Sequence, residues 1–179
     1  MTIAVIGGGI AGLSCALHLH AKGIACDVYE AVAEIKELGV GITLLPHAMR
    51  ELTALGLQSE ICAAGIENHE SAFYNRYGQF IYKELRGKHA GYALPEIGIH
   101  RGRLHRILYD AAVQRLGAQH IHLGHRFAWL AQNEREVTLR FEGIDAPVHA
   151  QVAIAADGIN SAMRKLYHPN DKLSFTGIN

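Results

Sequence analysis

A chain of 179 residues, 49% apolar and 19% charged, has the composition of an ordinary soluble globular protein, with length for one full core or for one domain and part of another. The formal net charge is zero and no basic stripe is present, which speaks against nucleic acid as the main partner. No apolar run approaches the roughly 20 residues that span a bilayer, so no membrane span is expected.

The chain opens with Thr-Ile-Ala-Val-Ile over residues 2–6, a β-branched run ending at Gly7 that reads as a buried parallel strand. Residues 10–22 set Leu13 with Leu17, and Cys15 with Leu19, at i, i+4 spacing on a helix that Gly23 ends. Cys26 to Glu30 reads as a second strand, completing a βαβ-type unit of about 30 residues. Residues 35–45 are punctuated by glycine and expected to be irregular. Pro46 opens a helix bearing Ala48, Met49, Leu52 and Leu55, with Gly56 as its stop. A short helix from Ser59 to Ala64 follows, closed by Gly65. Alternation at Phe73/Asn75 and Phe80/Tyr82 around Tyr77-Gly78 predicts an antiparallel hairpin within 66–100. Residues 101–116 form an amphipathic helix through Leu104, Ile107, Leu108, Ala111, Ala112 and Leu116. Strands are expected near 119–123, 125–131 and 136–141. A last apolar strand, Val148–Ala156, ends at Asp157-Gly158.

The strongest chemical signal is Gly7-Gly8-Gly9-Ile10-Ala11-Gly12, a GxGxxG run between the first strand and the first helix. Gly7 permits the tight turn, Gly9 the close approach of a pyrophosphate, and Gly12 close packing of helix on strand. The helix N-terminus then offers free N–H groups and a partial positive charge to phosphates. Glu30 ends the second strand, where an acid accepts hydrogen bonds from an adenosine ribose. An acid there disfavours a bound 2′-phosphate, so FAD or NAD fits better than NADP.

Three further stretches resemble the FAD-dependent aromatic-ring hydroxylases (flavoprotein monooxygenases). Gly39, Gly41, Ile42, Leu44, Pro46 and Ala48, followed by Leu55-Gly56-Leu57, are similar to the family segment G-x-G-I-x-L-x-P-N-A and its helix ending in Leu-Gly-Leu. His47 stands where the family often has Asn. His100-Arg101-Gly102-Arg103-Leu104-His105 looks like H-R-x-x-L-H, whose arginine contacts the flavin nucleotide, so the resemblance implies that role for Arg101. Ala155 to Arg164 resembles G-A-D-G-x-x-S-x-x-R, with Ala155 in place of the first Gly. In the family this segment lies near the pyrophosphate and serves FAD and NADPH handling. The nearest resemblance is to salicylate-hydroxylase-like and polyprenyl-phenol-hydroxylase-like members.

The resemblance implies an α/β fold, a Rossmann-like FAD-binding domain of the glutathione-reductase type with part of an antiparallel substrate-domain sheet. Residues 1–65 and 101–179 would form the FAD-binding domain, incomplete at its C-terminus, and 66–100 a fragment of the substrate-domain hairpin. The expected cofactor-binding residues are Gly7, Gly9, Ile10, Ala11, Gly12, Glu30, Ala31, Gly41, Arg101, Leu123 and Asp157. FAD would be the cofactor, NAD(P)H a transient reductant, and an aromatic or phenolic small molecule the substrate hydroxylated with O2. No catalytic residue is assigned. Thr43 and His47 lie on the segment that faces the flavin in the family. Tyr74, Tyr77 and Tyr82 read as hairpin packing.

Complete members carry a later Gly-Asp motif, and no Gly-Asp pair occurs here. A truncated chain is therefore expected, with FAD affinity and turnover impaired and apolar surface available for a homo-oligomer. Two other readings stay open: a non-catalytic nucleotide-binding or interaction module derived from the family, and an NAD-dependent dehydrogenase, against which Arg101 and Asp157-Gly158 speak. Cys15, Cys26 and Cys62 lack metal spacing and read as reduced thiols of a cytoplasmic protein. The twelve histidines include no HExxH pattern, are expected mostly at the surface, and suggest no metal site.

Overall fold

The structure is a computed structural model that describes residues 2–36, 39–171 and 177. In chain order its elements begin with β1 (Ile3–Ile6), α1 (Ile10–Ala21), β2 (Cys26–Tyr29), β3 (Gly41–Leu44), α2 (Pro46–Ala54) and α3 (Gln58–Ala64). Then come β4 (Ile66–Asn68), β5 (Glu70–Tyr74), β6 (Phe80–Leu85), β7 (Glu96–His100) and α4 (Arg101–Leu116). The last are β8 (Ile121–His122), β9 (Phe127–Gln132), β10 (Val137–Phe141), β11 (Ile144–Ala150), β12 (Val152–Ala155) and α5 (Ala162–Tyr167). No helix among the described residues is long and apolar enough to cross a membrane.

Two compact units are present: Met1–Glu34 with Ala112–Asn179, and Ile35–Ala111. These boundaries fall elsewhere than the 65/66 and 100/101 divisions drawn from the sequence.

The first unit is built on a parallel sheet in the order β12-β1-β2-β8. All four residues of β1 are buried, as a strand covered on both faces requires. Its side chains alternate between two layers. On one side α1 packs on β1 and β2, burying Gly12, Leu13, Ala16 and Leu17. On the other, Ala4, Ile6 and Tyr29 join Phe127, Leu130, Leu139 and Phe141 of an antiparallel meander in the order β11-β10-β9. Pro147 lies on β11, an edge strand of that meander, where a missing N–H is tolerated.

The expected single strand Val148–Ala156 is instead two. β11 ends at Ala150 in the meander, and β12 starts at Val152 beside β1. Gln151 makes the break. Its N–H donates to the Thr2 carbonyl at 3.0 Å, and its side-chain oxygen accepts from the Thr2 N–H at 2.9 Å. An unbroken apolar run could not reveal this change of sheet.

The second unit holds the antiparallel sheet β3-β7-β4 and the hairpin β5-β6. Residues 35–45, expected to be irregular, contain β3. It pairs with β7 from Gly41 opposite His100 to Leu44 opposite Ile97. Four residues that find their partner more than fifty positions away carry no local period to read. Pro46 is the first residue of α2, which buries Met49 and Leu52, and Ile61 is buried on α3. α4 carries the chain from the second unit into the first. Its stripe is buried at Leu104, Leu108, Ala111 and Ala112 and half-buried at Ile107 and Leu116.

Candidate functional site

The site is built on the turn between β1 and α1. Gly7 leaves β1 with φ +109°, where side chains are strained, and a Cβ there would overlap the Ala156 carbonyl. Its N–H donates to the Tyr29 carbonyl at 2.8 Å. A Cβ on Gly12 would overlap the Gly7 carbonyl oxygen, so α1 can lie this close to the end of β1 only with glycine at that position. Gly9 is different. Its φ of −76° and ψ of −176° are open to any residue, and an ideal Cβ there would meet no atom within 4 Å. Neither conformation nor packing within the chain demands glycine at Gly9.

The surface beside Gly9 suits an anion. No side chain caps α1 and no acidic residue lies in its first turn. The first helical bond runs from the Leu13 N–H to the Gly9 carbonyl at 2.9 Å, which leaves the amides of Ile10, Ala11 and Gly12 outside the helix ladder. Bare amides, the positive end of α1 and the open cradle over Gly9 together fit a diphosphate.

Glu30 follows β2 directly. One carboxylate oxygen accepts from the Gly8 N–H and the other from the Val32 N–H, the latter at 3.0 Å. A Cβ on Gly8 would stand 2.8 Å from the Glu30 Cβ. Gly8 thus lets Glu30 reach the loop, a role that the GxGxxG spacing does not express because Gly8 fills a wildcard position. The signal was the unbroken run Gly7-Gly8-Gly9.

Backbone bonds stitch the Glu30 segment to the one after β8. The Glu30 N–H donates to the His122 carbonyl at 2.9 Å, and the His125 N–H to the Glu30 carbonyl at 2.8 Å. Gly124 donates to the Val32 carbonyl at 2.9 Å. Ala31 and Leu123, both half-buried, lie within the two stitched segments. Behind them the Tyr29 ring stacks on His122 at 4.7 Å and on Phe141 at 4.8 Å. Burial, then the charge of Asp27, pushes the Tyr29 hydroxyl up to about 12.

Asp157 meets the loop through its backbone, since the missing Cβ of Gly7 would lie 2.9 Å from the Asp157 nitrogen. Its carboxylate is used locally. One oxygen accepts from the Ser161 hydroxyl at 2.6 Å and the other from the Met163 N–H at 3.1 Å. Ser161 Oγ in turn accepts from the Arg164 N–H at 2.8 Å, and the Arg164 guanidinium donates to the Ile159 carbonyl at 2.9 Å. The D-G-x-x-S-x-x-R spacing therefore encodes a self-capped turn at the start of α5.

Gly41 and Arg101 lie in the second unit. Gly41 pairs with His100, and the Arg101 N–H donates to the Val40 carbonyl at 2.9 Å. Arg101 is exposed at the start of α4, with its side chain beside Gly39. His47 lines a cavity of about 730 Å³ with Arg50, Arg86 and Tyr92, whereas Thr43 lines a separate one of about 440 Å³.

Comparison with known proteins agrees with this geometry. Residues 1–170 match the family model described as FAD binding domain. The chain is 37% identical over 174 residues to the phenazine 1,6-dicarboxylic acid hydroxylase PhzS of Lysobacter antibioticus, an alignment covering 94% of this chain and 43% of that one. It is 34% identical over 169 residues to the 3-amino-4-hydroxybenzoate 2-monooxygenase of Streptomyces cremeus, covering 91% of this chain and 41% of the relative. Among solved structures, Klebsiella pneumoniae HpxO complexed with FAD and uric acid superposes with a TM-score of 0.76 at 28% identity, over 93% of this chain and 41% of that one. The chain thus spans less than half the length of these relatives and aligns with their FAD-binding portion. With a nucleotide-type glycine turn, an uncapped helix end and a family model covering all but the last nine positions, this chain belongs to the FAD binding domain family.

Proposed function

We propose that this chain is the FAD-binding part of a flavin-dependent monooxygenase that hydroxylates an aromatic or phenolic small molecule with NAD(P)H and O2. The observation that carries this reading is the open cradle at Gly9 beside the uncapped end of α1. In it, the amides of Ile10, Ala11 and Gly12 would hold the diphosphate, with Gly7 and Gly9 keeping side chains out of the way. Glu30 would turn one carboxylate oxygen to the adenosine ribose, with Ala31 and Leu123 flanking it. Asp157 would contribute through its backbone, since its carboxylate holds α5. Gly41 and Arg101 are further proposed as cofactor-binding residues, Arg101 as a cation for phosphate. Bound FAD supplies the redox chemistry.

The activities named for two relatives, on a phenazine dicarboxylic acid and an aminohydroxybenzoate, support a planar aromatic substrate that bears ionisable groups. The exposed residues Phe80, Ile81 and Tyr82 are proposed to belong to a substrate-side layer.

Flavin titration of the purified chain tests the assignment. Gly9→Val should leave the fold intact by circular dichroism, because its Cβ meets open space, yet weaken FAD binding by at least about tenfold through obstruction of the diphosphate. FAD affinity equal in the variant and the parent would refute it. NAD(P)H oxidation with aromatic acids then tests turnover separately from binding.

A further inference from the structure

A second cluster lies in the other unit, away from the glycine loop in sequence and in unit. Glu67, His69 and His89 place one carboxylate oxygen and two imidazole nitrogens all within 4.8 Å of one another. The two imidazole rings stand 4.2 Å apart at 40°. We propose that these three residues bind a zinc-type transition-metal ion.

The donor set fits the ion. Zinc takes imidazole nitrogen and carboxylate oxygen in tetrahedral geometry, with a fourth position available to water. Donors about 2.1 Å from a tetrahedral ion lie roughly 3.4 Å apart, so ligation needs their separations to close by at most about 1.4 Å. Side-chain rotation at a solvent-facing site supplies that without backbone change.

The backbone holds the three positions ready. Arg86 bridges the two histidines: its N–H donates to the His69 carbonyl at 2.8 Å, and its carbonyl accepts from the His89 N–H at 3.0 Å. His89 rides on the short 3-10 turn Gly87–Ala90. Gly87 seats that turn with φ +50°, and a Cβ there would overlap the backbone of Glu96. Glu67 lies opposite Ile97 in the β4-β7 ladder. All three ligands are thereby anchored to β7 or its neighbours. The chain between His69 and His89 is the hairpin β5-β6, so a bound ion would clip the base of that hairpin shut.

Calorimetric titration with Zn2+ tests the site. Outer-shell substitutions alone weaken metal sites by about 10–100-fold, so removing a ligand should cost at least about tenfold. One site is expected in the parent protein. Its affinity should fall by at least that factor in Glu67→Gln and be lost in the double variant His69→Ala/His89→Ala. It should survive in His149→Ala/His168→Ala, which removes as many exposed histidines elsewhere. Equal binding by the two double variants overturns the proposal. A Co2+ spectrum of the unaltered protein gives a reading that does not depend on variants folding: d–d bands without a thiolate charge-transfer band support the site, and a thiolate band, placing the ion on a cysteine, sinks it.

Discussion

Two antiparallel hairpins in this molecule use the same local chemistry and meet opposite fates. The β9-β10 turn is held by Asn133, whose Oδ1 accepts from the Arg135 and Glu136 N–H groups at 2.8 and 3.0 Å. The β5-β6 turn is held by Asn75, whose Oδ1 accepts from the Tyr77 and Gln79 N–H groups at 2.9 and 3.0 Å. Both pairs of strands are rich in aromatic and branched residues. Yet β10 has the pattern of a covered strand, with Leu139 wholly buried against the parallel sheet, while every residue of β6 is exposed. Turn chemistry therefore makes a hairpin, and a partner layer alone decides whether it is core. In β5-β6 what holds the strands is cross-strand contact: Phe73 stacked on Tyr82 at 4.5 Å, and Lys83 paired with Glu70 at 2.9 Å.

Substitutions can break this contrast. The largest effect is expected outside both hairpins, where the parallel sheet that buries the meander is itself pinned: Gly12→Ala forces a Cβ into the Gly7 carbonyl, which should cost at least about 3 kcal/mol or abolish folding of the first unit, measured by denaturant unfolding. Leu139→Ala in the meander should cost about 2–5 kcal/mol, whereas Ile81→Ala in the exposed hairpin should stay within about 0.5 kcal/mol. Comparable losses at the two positions would mean that β6 is covered in solution. In that event Ile81→Ser should shift the protein toward smaller species in sedimentation.

Alkaline pH sharpens the comparison further, since the groups with strongly raised values lie in the first unit. Burial first, then the charges of Asp27 and Cys15, pushes the Cys26 thiol from 9.0 up to about 11. The folded state holds this proton more tightly than the unfolded chain. Its contribution to stability is complete below pH 9 and is lost as the pH rises toward 11. Melting temperature should therefore fall by on the order of a few degrees across that window, and by less in Cys26→Ala. A modest effect, larger than that of Ile81→Ala, is expected at Phe73 and Tyr82, where Tyr82→Ala should cost about 0.5–1 kcal/mol, the worth of one stacked pair in water.

Much of this molecule was legible residue by residue. The glycine turn, α1, α2, α4 and the β5-β6 hairpin each rest on spacings within about a dozen positions. The same holds for the turn at Asp157, although its carboxylate faces α5 where a sequence pattern could only mark its presence. Illegible were the meetings of distant segments: β3 with β7, Gln151 with Thr2, and Gly8 with Glu30.

The sequence by itself determined where the backbone can turn and which faces must be apolar, because glycine φ freedom and side-chain period are properties of neighbouring residues. Tertiary structure alone decided which hairpin would be buried, that residues 148–156 divide between two sheets, and that Glu67 and His69 stand beside His89. These depend on contacts across long loops, where closure entropy is set against packing energy that no local window contains.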